Sequence, residues 1–408
     1  MMMSDQLPEG WVWVRIKDVI SQISLTNRKL HQRDYLDGGS YPVVDQGQKL
    51  IGGYTDQDLL VPCELPVIVF GDHTKAIKFI DFPFVAGADG IKVIKPDKVF
   101  FAKLFYYFLF AIELPNKGYA RHFQYLEKEF IPLPPLAEQE RIVAKIEALF
   151  SQLDAGVAAL RRIQAALKRY KASVLKAACE GRLVPQDPTD EPAEALLRRL
   201  GKAPLVDDDL PALPEGWCWT IVGDVGEVIT GTTPPKKDLD NYGSFIPFVK
   251  PPELRDGPIT EAQDNLSEKG AKKARILPKD SVLVSCIGII GKTGVNRIPV
   301  AFNQQINGIV FGEMVEALFG FYYFQSRKAR EWLNEQASAT TVAIINKSKF
   351  SQAPIPLPPR QEQKRIIAEV EQRLSVAAEV EAVVAALLAR SVRLRQAILK
   401  QAFEGKLV

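Results

Sequence analysis

The 408-residue chain carries its most constraining feature in duplicate. LPEGW stands at Leu7–Trp11 and again at Leu213–Trp217, an offset of 206. IPLPP at Ile131–Pro135 returns at Ile355–Pro359, EQERI at Glu138–Ile142 returns as EQKRI at Glu362–Ile366, and CEGRLV at Cys179–Val184 returns as FEGKLV at Phe403–Val408, each offset by 224. A constant offset aligns 131–184 with 355–408 without a gap. Its growth from 206 to 224 places 18 additional residues in the second copy, between LPEGW and IPLPP. Each half is a variable block followed by a constant block, and a fold that serves one half must serve the other.

The constant block reads as a long helix. Pro134 and Pro135 cannot lie inside one and mark its entry. Beyond them Ile142, Ile146, Leu149, Leu153, Val157, Leu160, Ile163, Leu167, Tyr170 and Val174 recur at spacings of three and four, and Gly181 supplies a stop. The second copy repeats the stripe with Ile366, Val370, Leu374, Ala377, Val380, Val384, Leu387, Leu394 and Ile398, ending at Gly405. A helix over about 137–180 is roughly 65 Å long and alone would expose an apolar stripe. The second copy is its natural partner, in a coiled coil whose core is expected from Ile142, Ile146, Leu149, Leu153, Leu160 and Leu167 with Ile366, Val370, Leu374, Val384, Leu394 and Ile398.

The variable blocks mix short β-like runs with turn signals. In the first, Tyr41–Val44, Leu65–Phe70, Ile77–Phe79 and Gly90–Ile94 predict strands, punctuated by Gly38-Gly39, Gly52-Gly53, Gly71-Asp72 and Asp89-Gly90, and Ala102–Phe110 predicts a buried helix. In the second, Phe245–Val249, Ser281–Val284 and Asn307–Phe311 predict strands, and Leu318–Gln325 repeats the aromatic-rich helix. The expected class is α+β: two domains in pseudo-two-fold tandem repeat, each with a curved, mainly antiparallel sheet, separated by a long antiparallel two-helix coiled coil. The expected organisation is a first variable domain at 1–135, a first constant helix at 136–184, an acidic, proline-rich connector at 185–212, a second variable domain at 213–358 and a second helix at 359–408.

Polar, glycine-bearing loops in each block carry the residue types that meet nucleic acid. The first block offers Gln46, Gln48 and Lys49 in one loop and His73, Thr74 and Lys75, leading to Lys78, in another. The second offers Thr232, Thr233, Lys236 and Lys237, the basic stretch with Lys272 and Lys273, Lys292 in GIIGKT, and Asn303, Gln304 and Gln305. Lysines neutralise phosphates, whereas carboxamides make the paired contacts that separate one base pair from another. Each loop has a plainer explanation, since charge runs are commonly solvated faces and carboxamides commonly satisfy turns.

A net charge of +3 is too small to argue for nucleic acid by itself, so any basic surface must be local. Cys63, Cys179, Cys218 and Cys286 lie far apart without metal-ligand spacing, and with three histidines neither a zinc site nor a disulfide framework is expected. GIIGKT fails as a phosphate loop because position 287 is isoleucine. No glycine fingerprint for a nucleotide cofactor and no Asn/Asp-Pro-Pro-Tyr/Phe tetrapeptide of amino-methyltransferases is found, so no cofactor, metal or catalytic residue is expected. His31, His73 and His122 all fall in the first block; if both blocks do one job, histidine chemistry is not that job. Neither an apolar leader nor a membrane span is read, and a cytoplasmic setting is expected.

LPEGW, PLPPxxEQxRI and the closing A(C/F)EGxLV, each present twice around dissimilar blocks, resemble the specificity subunits of type I restriction-modification enzymes over nearly the whole chain. GTTP at 231–234 and AFNQQIN at 301–307 are also similar to stretches of such domains; the first block has Ser24-Leu25-Thr26-Asn27 instead of GTTP, implying that the two blocks read unlike sequences. The resemblance implies two target-recognition domains that read a bipartite double-stranded DNA target, with the coiled coil as a ruler for the unread spacer. It implies as partners two methyltransferase subunits, which would bind S-adenosylmethionine, and restriction subunits that translocate DNA. The alternative left open by the residues is a coiled-coil scaffold with two protein-binding domains and no DNA readout.

Overall fold

The computed structural model describes all residues except 1–6, 88–89, 116–117, 119 and 339–341, so Asp89 of the Asp89-Gly90 turn signal lies outside the described residues. The chain forms two compact units, residues 1–162 with 384–408 and residues 163–383, each taking part of both long helices. The observed class is α+β in tandem repeat.

In the first unit the two motifs that bracket the variable block find each other. Val12–Arg15, directly after LPEGW, pairs antiparallel with Phe130–Leu133 of IPLPP, Val12 opposite Leu133 and Arg15 opposite Phe130. The rest of the block makes two four-stranded sheets. One runs in the order Ile20–Ile23, Ile91–Pro96, Val67–Gly71, Ile77–Ile80, with antiparallel neighbours. The other runs Lys29–Leu30, Val85–Gly87, Tyr41–Val44, Gly53–Thr55 and contains two parallel pairs. The expected single, mainly antiparallel sheet is thus replaced by several sheets, one of them mixed. Short strands cannot reveal their partners' direction, because parallel pairing is set by distant chain crossings.

The second unit repeats the plan. Cys218–Ile221 pairs with Pro354–Leu357, Cys218 opposite Leu357. A five-stranded sheet runs Gly226–Thr230, Ile306–Phe311, Val282–Ser285, Thr293–Asn296, Gly257–Ile259, and a four-stranded one runs Asp264–Leu266, Tyr242–Val249, Val300–Phe302, Ile276–Leu277. The aromatic helix Ala317–Gln325 is followed here by a second helix, Arg327–Gln336, with Ser326 as its N-cap.

The motif EQxRI has a structural task. Gln139, fully buried near the start of the long helix, accepts a hydrogen bond from the Phe101 amide at 2.7 Å and donates to the Val99 and Pro134 carbonyls at 2.8 and 2.9 Å. Gln363 does the same for the Glu316 amide (2.8 Å) and the Met314 and Pro358 carbonyls (2.8 and 3.0 Å). One carboxamide thereby satisfies three backbone groups, buried or partly buried, and clips the aromatic helix of each unit to the long helix.

Both long helices, Leu136–Cys179 and Arg360–Phe403, have 44 residues, and the predicted stops Gly181 and Gly405 adopt φ of +65° and +67°. Within each unit they run antiparallel. In the first, Arg395 pairs with Asp154 and lies over the Phe150 ring at 4.2 Å. In the second, Lys171 meets Glu381 at 2.5 Å, while Gln186, beyond the end of the first helix, reaches Glu362 near the start of the other. Of the expected core, Ile142, Ile146, Ile366, Val370 and Val384 are buried, and Leu149, Leu153, Leu160, Leu167, Leu374 and Ile398 are half-buried. Leu394 is a correction: it is 41% exposed. From Val384 the buried face continues through Leu388, Ser391, Arg395 and Leu399, and Leu394 lies about a quarter turn from its centre. Counting only apolar side chains passes over Ser391 and Arg395 and so slips the register.

Candidate nucleic-acid interface

In the first unit the two loops singled out from the sequence pack against each other. Asp45 turns its loop by accepting from the Gly47 amide at 2.8 Å, and the Thr74 hydroxyl donates to the Gln46 carbonyl at 2.6 Å. Gly90, just before the strand Ile91–Pro96, stands at φ +85°, which favours glycine, and a Cβ there would lie 2.8 Å from both the Gln46 carboxamide oxygen and the His73 ring. Gln46, His73 and Thr74 are therefore neighbours, and Gln48 and Lys49 extend from the same loop into solvent. Lys75, at φ +57°, is half-buried, and its ammonium donates to the carbonyls of Leu114 (3.3 Å) and Pro115 (3.1 Å), which pins the loop. Lys78 is a correction. It is 5% exposed and paired with Asp45 at 3.4 Å, and burial lowers its amine below the ordinary lysine value despite that partner. An ammonium enclosed in this way anchors the loop and cannot reach a phosphate.

The second unit joins four segments. The Gly231 amide donates to the Ile306 carbonyl (3.1 Å) and the Thr232 amide to the Phe302 carbonyl (3.0 Å); a Cβ at Gly231 would lie 2.1 Å from the Asn303 carbonyl oxygen, so only glycine allows the approach. Thr233 donates its hydroxyl to the Gln304 carboxamide. Arg275, a member of the basic stretch not singled out as an interface residue, joins that stretch to the GTTP loop: its guanidinium donates to the Thr230 carbonyl at 2.7 Å and its amide to the Thr232 hydroxyl at 3.0 Å. The Cys286 amide donates to the Gln305 carbonyl at 2.8 Å, bringing in the loop that ends at Lys292.

Within this cluster the residues divide by availability. Lys236, Lys237, Lys272 and Gln304 are exposed, and Thr232, Thr233, Lys292 and Gln305 are half-exposed. Lys273 is exposed but occupied, bonding Asp238 at 3.1 Å and Asn241 at 2.9 Å; with Lys269 it holds the Asp238 carboxyl below its usual range. Asn303 is the second correction among the interface residues. It is buried, accepting from the Gln305 amide (3.1 Å) and donating to the Gln305 side chain (3.0 Å), so it shapes the turn that presents Gln304. Both corrections have one cause: a lysine or asparagine in a polar loop looks alike in sequence whether it serves the loop or faces outward.

Among the described residues no group of three or more potential metal ligands is present, and no helix is long and apolar enough to cross a membrane. The family model for the type I restriction modification DNA specificity domain matches twice, at residues 8–165 and 214–376. The chain is 28% identical over 296 residues to the EcoBI specificity subunit of Escherichia coli, an alignment spanning 69% of this chain and 59% of that protein. It is 22% identical over 371 residues to the Escherichia coli EcoR124I/EcoR124II specificity subunit, spanning 87% and 84%. A chain from a solved structure on complex assembly and conformational transition of the type I R-M system superposes with a TM-score of 0.68 at 21% identity, covering 98% of this chain and 99% of that one, which supports the fold. With a family model matching both variable blocks and the first part of each long helix, this chain belongs to the type I restriction modification DNA specificity domain family.

Proposed function

We propose that the chain is the non-catalytic, DNA-reading subunit of a type I restriction-modification complex in the cytoplasm. Each unit reads one half of a bipartite double-stranded target, and the base pairs between the halves are unspecified. The domains at 1–135 and 213–358 do the reading, the helices at 136–184 and 359–408 set the gap, and 185–212 connects the halves. Two methyltransferase subunits dock on the repeated constant blocks, as a pseudo-two-fold protein would offer to two identical partners, and restriction subunits join them. The methyl donor belongs to the methyltransferase.

The observation that carries this reading is that both units gather dispersed polar loops into one cluster of carboxamides and lysines, built around a glycine that admits a close approach: Gly90 beside Gln46 and His73, Gly231 beside Asn303. The base-facing candidates are Gln46, Gln48, His73, Gln304 and Gln305. The phosphate-facing candidates are Lys49, Lys236, Lys237, Lys272 and Lys292, with Thr74, Thr232 and Thr233 between the two groups. Modest half-site affinities combine through the shared chain, so neither cluster needs a large charge.

Mapping methylated adenines in cells that express this chain with its adjacent methyltransferase should return two short specified halves around a fixed gap. No such motif, with the methyltransferase present and active, would sink the proposal and favour a protein-binding scaffold. Lys236→Ala should weaken binding evenly across sequences, whereas Gln304→Ala should relax one position by about 1–3 kcal/mol. Inserting four residues into each long helix should change the preferred gap and leave both halves intact.

A further inference from the structure

The loop between Cys286 and Lys292 holds an apolar side chain out of the protein with unusual firmness. Ile289 is 68% exposed. Gly288 and Gly291 flank it at φ +78° and +86°, conformations that let the loop double back. The Ser285 hydroxyl donates to the Ile289 carbonyl at 2.6 Å and accepts from the Lys292 amide at 2.9 Å, and the Gly291 amide donates to the Ser285 carbonyl at 3.0 Å. The loop is also tied to a second segment, through the Gly288 amide to the Ala343 carbonyl (2.9 Å) and the Ile345 amide to the Cys286 carbonyl (3.0 Å).

A single exposed isoleucine is ordinary on a protein surface. Here the bridged segment exposes Val342 and Ile344 as well, and Ile344 pairs directly with Ile287. The result is a knuckle of three branched apolar side chains on two cross-braced loops. Its base is the amide cluster itself, through Cys286 to Gln304 and Gln305. Lys292, of the same loop, and Lys347, next to the bridged segment, supply cations.

We infer that this knuckle, with Ile289 at its tip, reads the 5-methyl group of a thymine in the half-site of the second unit. The inference rests on the DNA reading proposed above. Carboxamides read hydrogen-bonding edges and lysines hold phosphates, but the thymine methyl is an apolar group on the major-groove edge, and it is recognised by apolar contact. The braced loop presents Ile289 already ordered, so little conformational entropy is lost on contact. DNA suits the surroundings of the knuckle, because its phosphates would pair with the lysines and its base edges with the carboxamides beside it.

The test uses the full complex and a duplex carrying its target, with each thymine of both half-sites replaced singly by uracil, which removes the methyl and nothing else. One replacement should weaken wild-type binding about fourfold, the value of one buried methyl group. Ile289→Ala should bind the thymine and uracil duplexes equally at that position, while Lys292→Ala should weaken both and keep their ratio. Wild-type binding indifferent to every uracil, a target without thymine, or a sensitivity that survives Ile289→Ala would overturn the inference and leave the DNA reading standing. Wild type with no sequence-selective binding would overturn both. If Ile289→Ala instead loses the methyltransferase without any uracil effect, the knuckle is a protein contact and the inference is wrong.

Discussion

Trp11 and Trp217 hold the same place in the two copies of LPEGW, yet their surroundings differ. Trp217 donates its indole N–H to the buried Glu362 carboxylate at 3.0 Å, and Gln186 supports the same carboxylate at 3.3 Å. The indole nitrogen of Trp11 is buried without a hydrogen-bond partner among the described residues, and Glu138, the counterpart of Glu362, is half-buried. A second difference lies at the end of the helices. Phe403 fills the first unit, its ring 5.9 Å from Trp13 and 5.4 Å from Phe108. Its counterpart Cys179 is too small to do so, and beside it opens a cavity of about 1090 Å³ lined by Trp219, Tyr323 and Lys328. Burial pushes the Cys179 thiol up to about 12, so it is a neutral filler, and Lys328 lies over the Trp219 ring at 4.5 Å. Repeated motifs here specify strand pairing and helix entry, while packing around them is settled by the residues that do not repeat.

That contrast can be broken in order of expected effect. Phe403→Ala should open a cavity against Trp13 and Phe108 in the first unit, at a cost of about 3–5 kcal/mol, read as lost hydrogen-exchange protection over 102–109. A loss below 1 kcal/mol would mean that Phe403 is not the filler. Gln139→Ala and Gln363→Ala should each cost about 2–3 kcal/mol by stranding three backbone groups, and denaturant titration should give similar losses; a large inequality would deny that the two clips are equivalent. Cys179→Phe should change stability by less than about 1 kcal/mol, because a ring has room in the neighbouring cavity; severe destabilisation would show that the wall cannot receive it.

The smallest effect is a pH slope. Burial raises the Glu362 carboxyl above its ordinary value, opposed by the Trp217 and Gln186 hydrogen bonds. The folded state then holds this proton more tightly than the unfolded chain. Stability should fall as pH rises from the ordinary carboxylate range through the raised folded value. Glu362→Gln should flatten that fall in stability measurements from pH 4 to 8, and an unchanged slope would assign it to another group.

Much of the architecture is legible in the residues. The strand at Tyr41–Val44, the helix beginning at Ala102 and the stops at Gly181 and Gly405 fall where alternation, aromatic runs and isolated glycines put them. The loops of the candidate interface are legible as polar, glycine-bearing segments, but their division of labour is not. Lys78 and Lys49 look alike until Asp45 is found beside one of them, and Asn303 and Gln304 are neighbours with opposite exposure. Arg275 was hidden in a basic run because only the folded chain brings it to the Thr230 carbonyl.

By itself the sequence determined the doubling and the long helices with their entries and stops, because periodicity, proline and glycine act within a few residues of where they stand. Only the tertiary structure decided that LPEGW-linked and IPLPP strands close each block, that EQ is a clip, and which polar side chains remain free to meet a ligand. Those outcomes depend on groups tens of residues apart or more, from Gln139 and Val99 to Cys218 and Leu357, and a hydrogen bond or a buried ion pair has no signature until its second partner is in place.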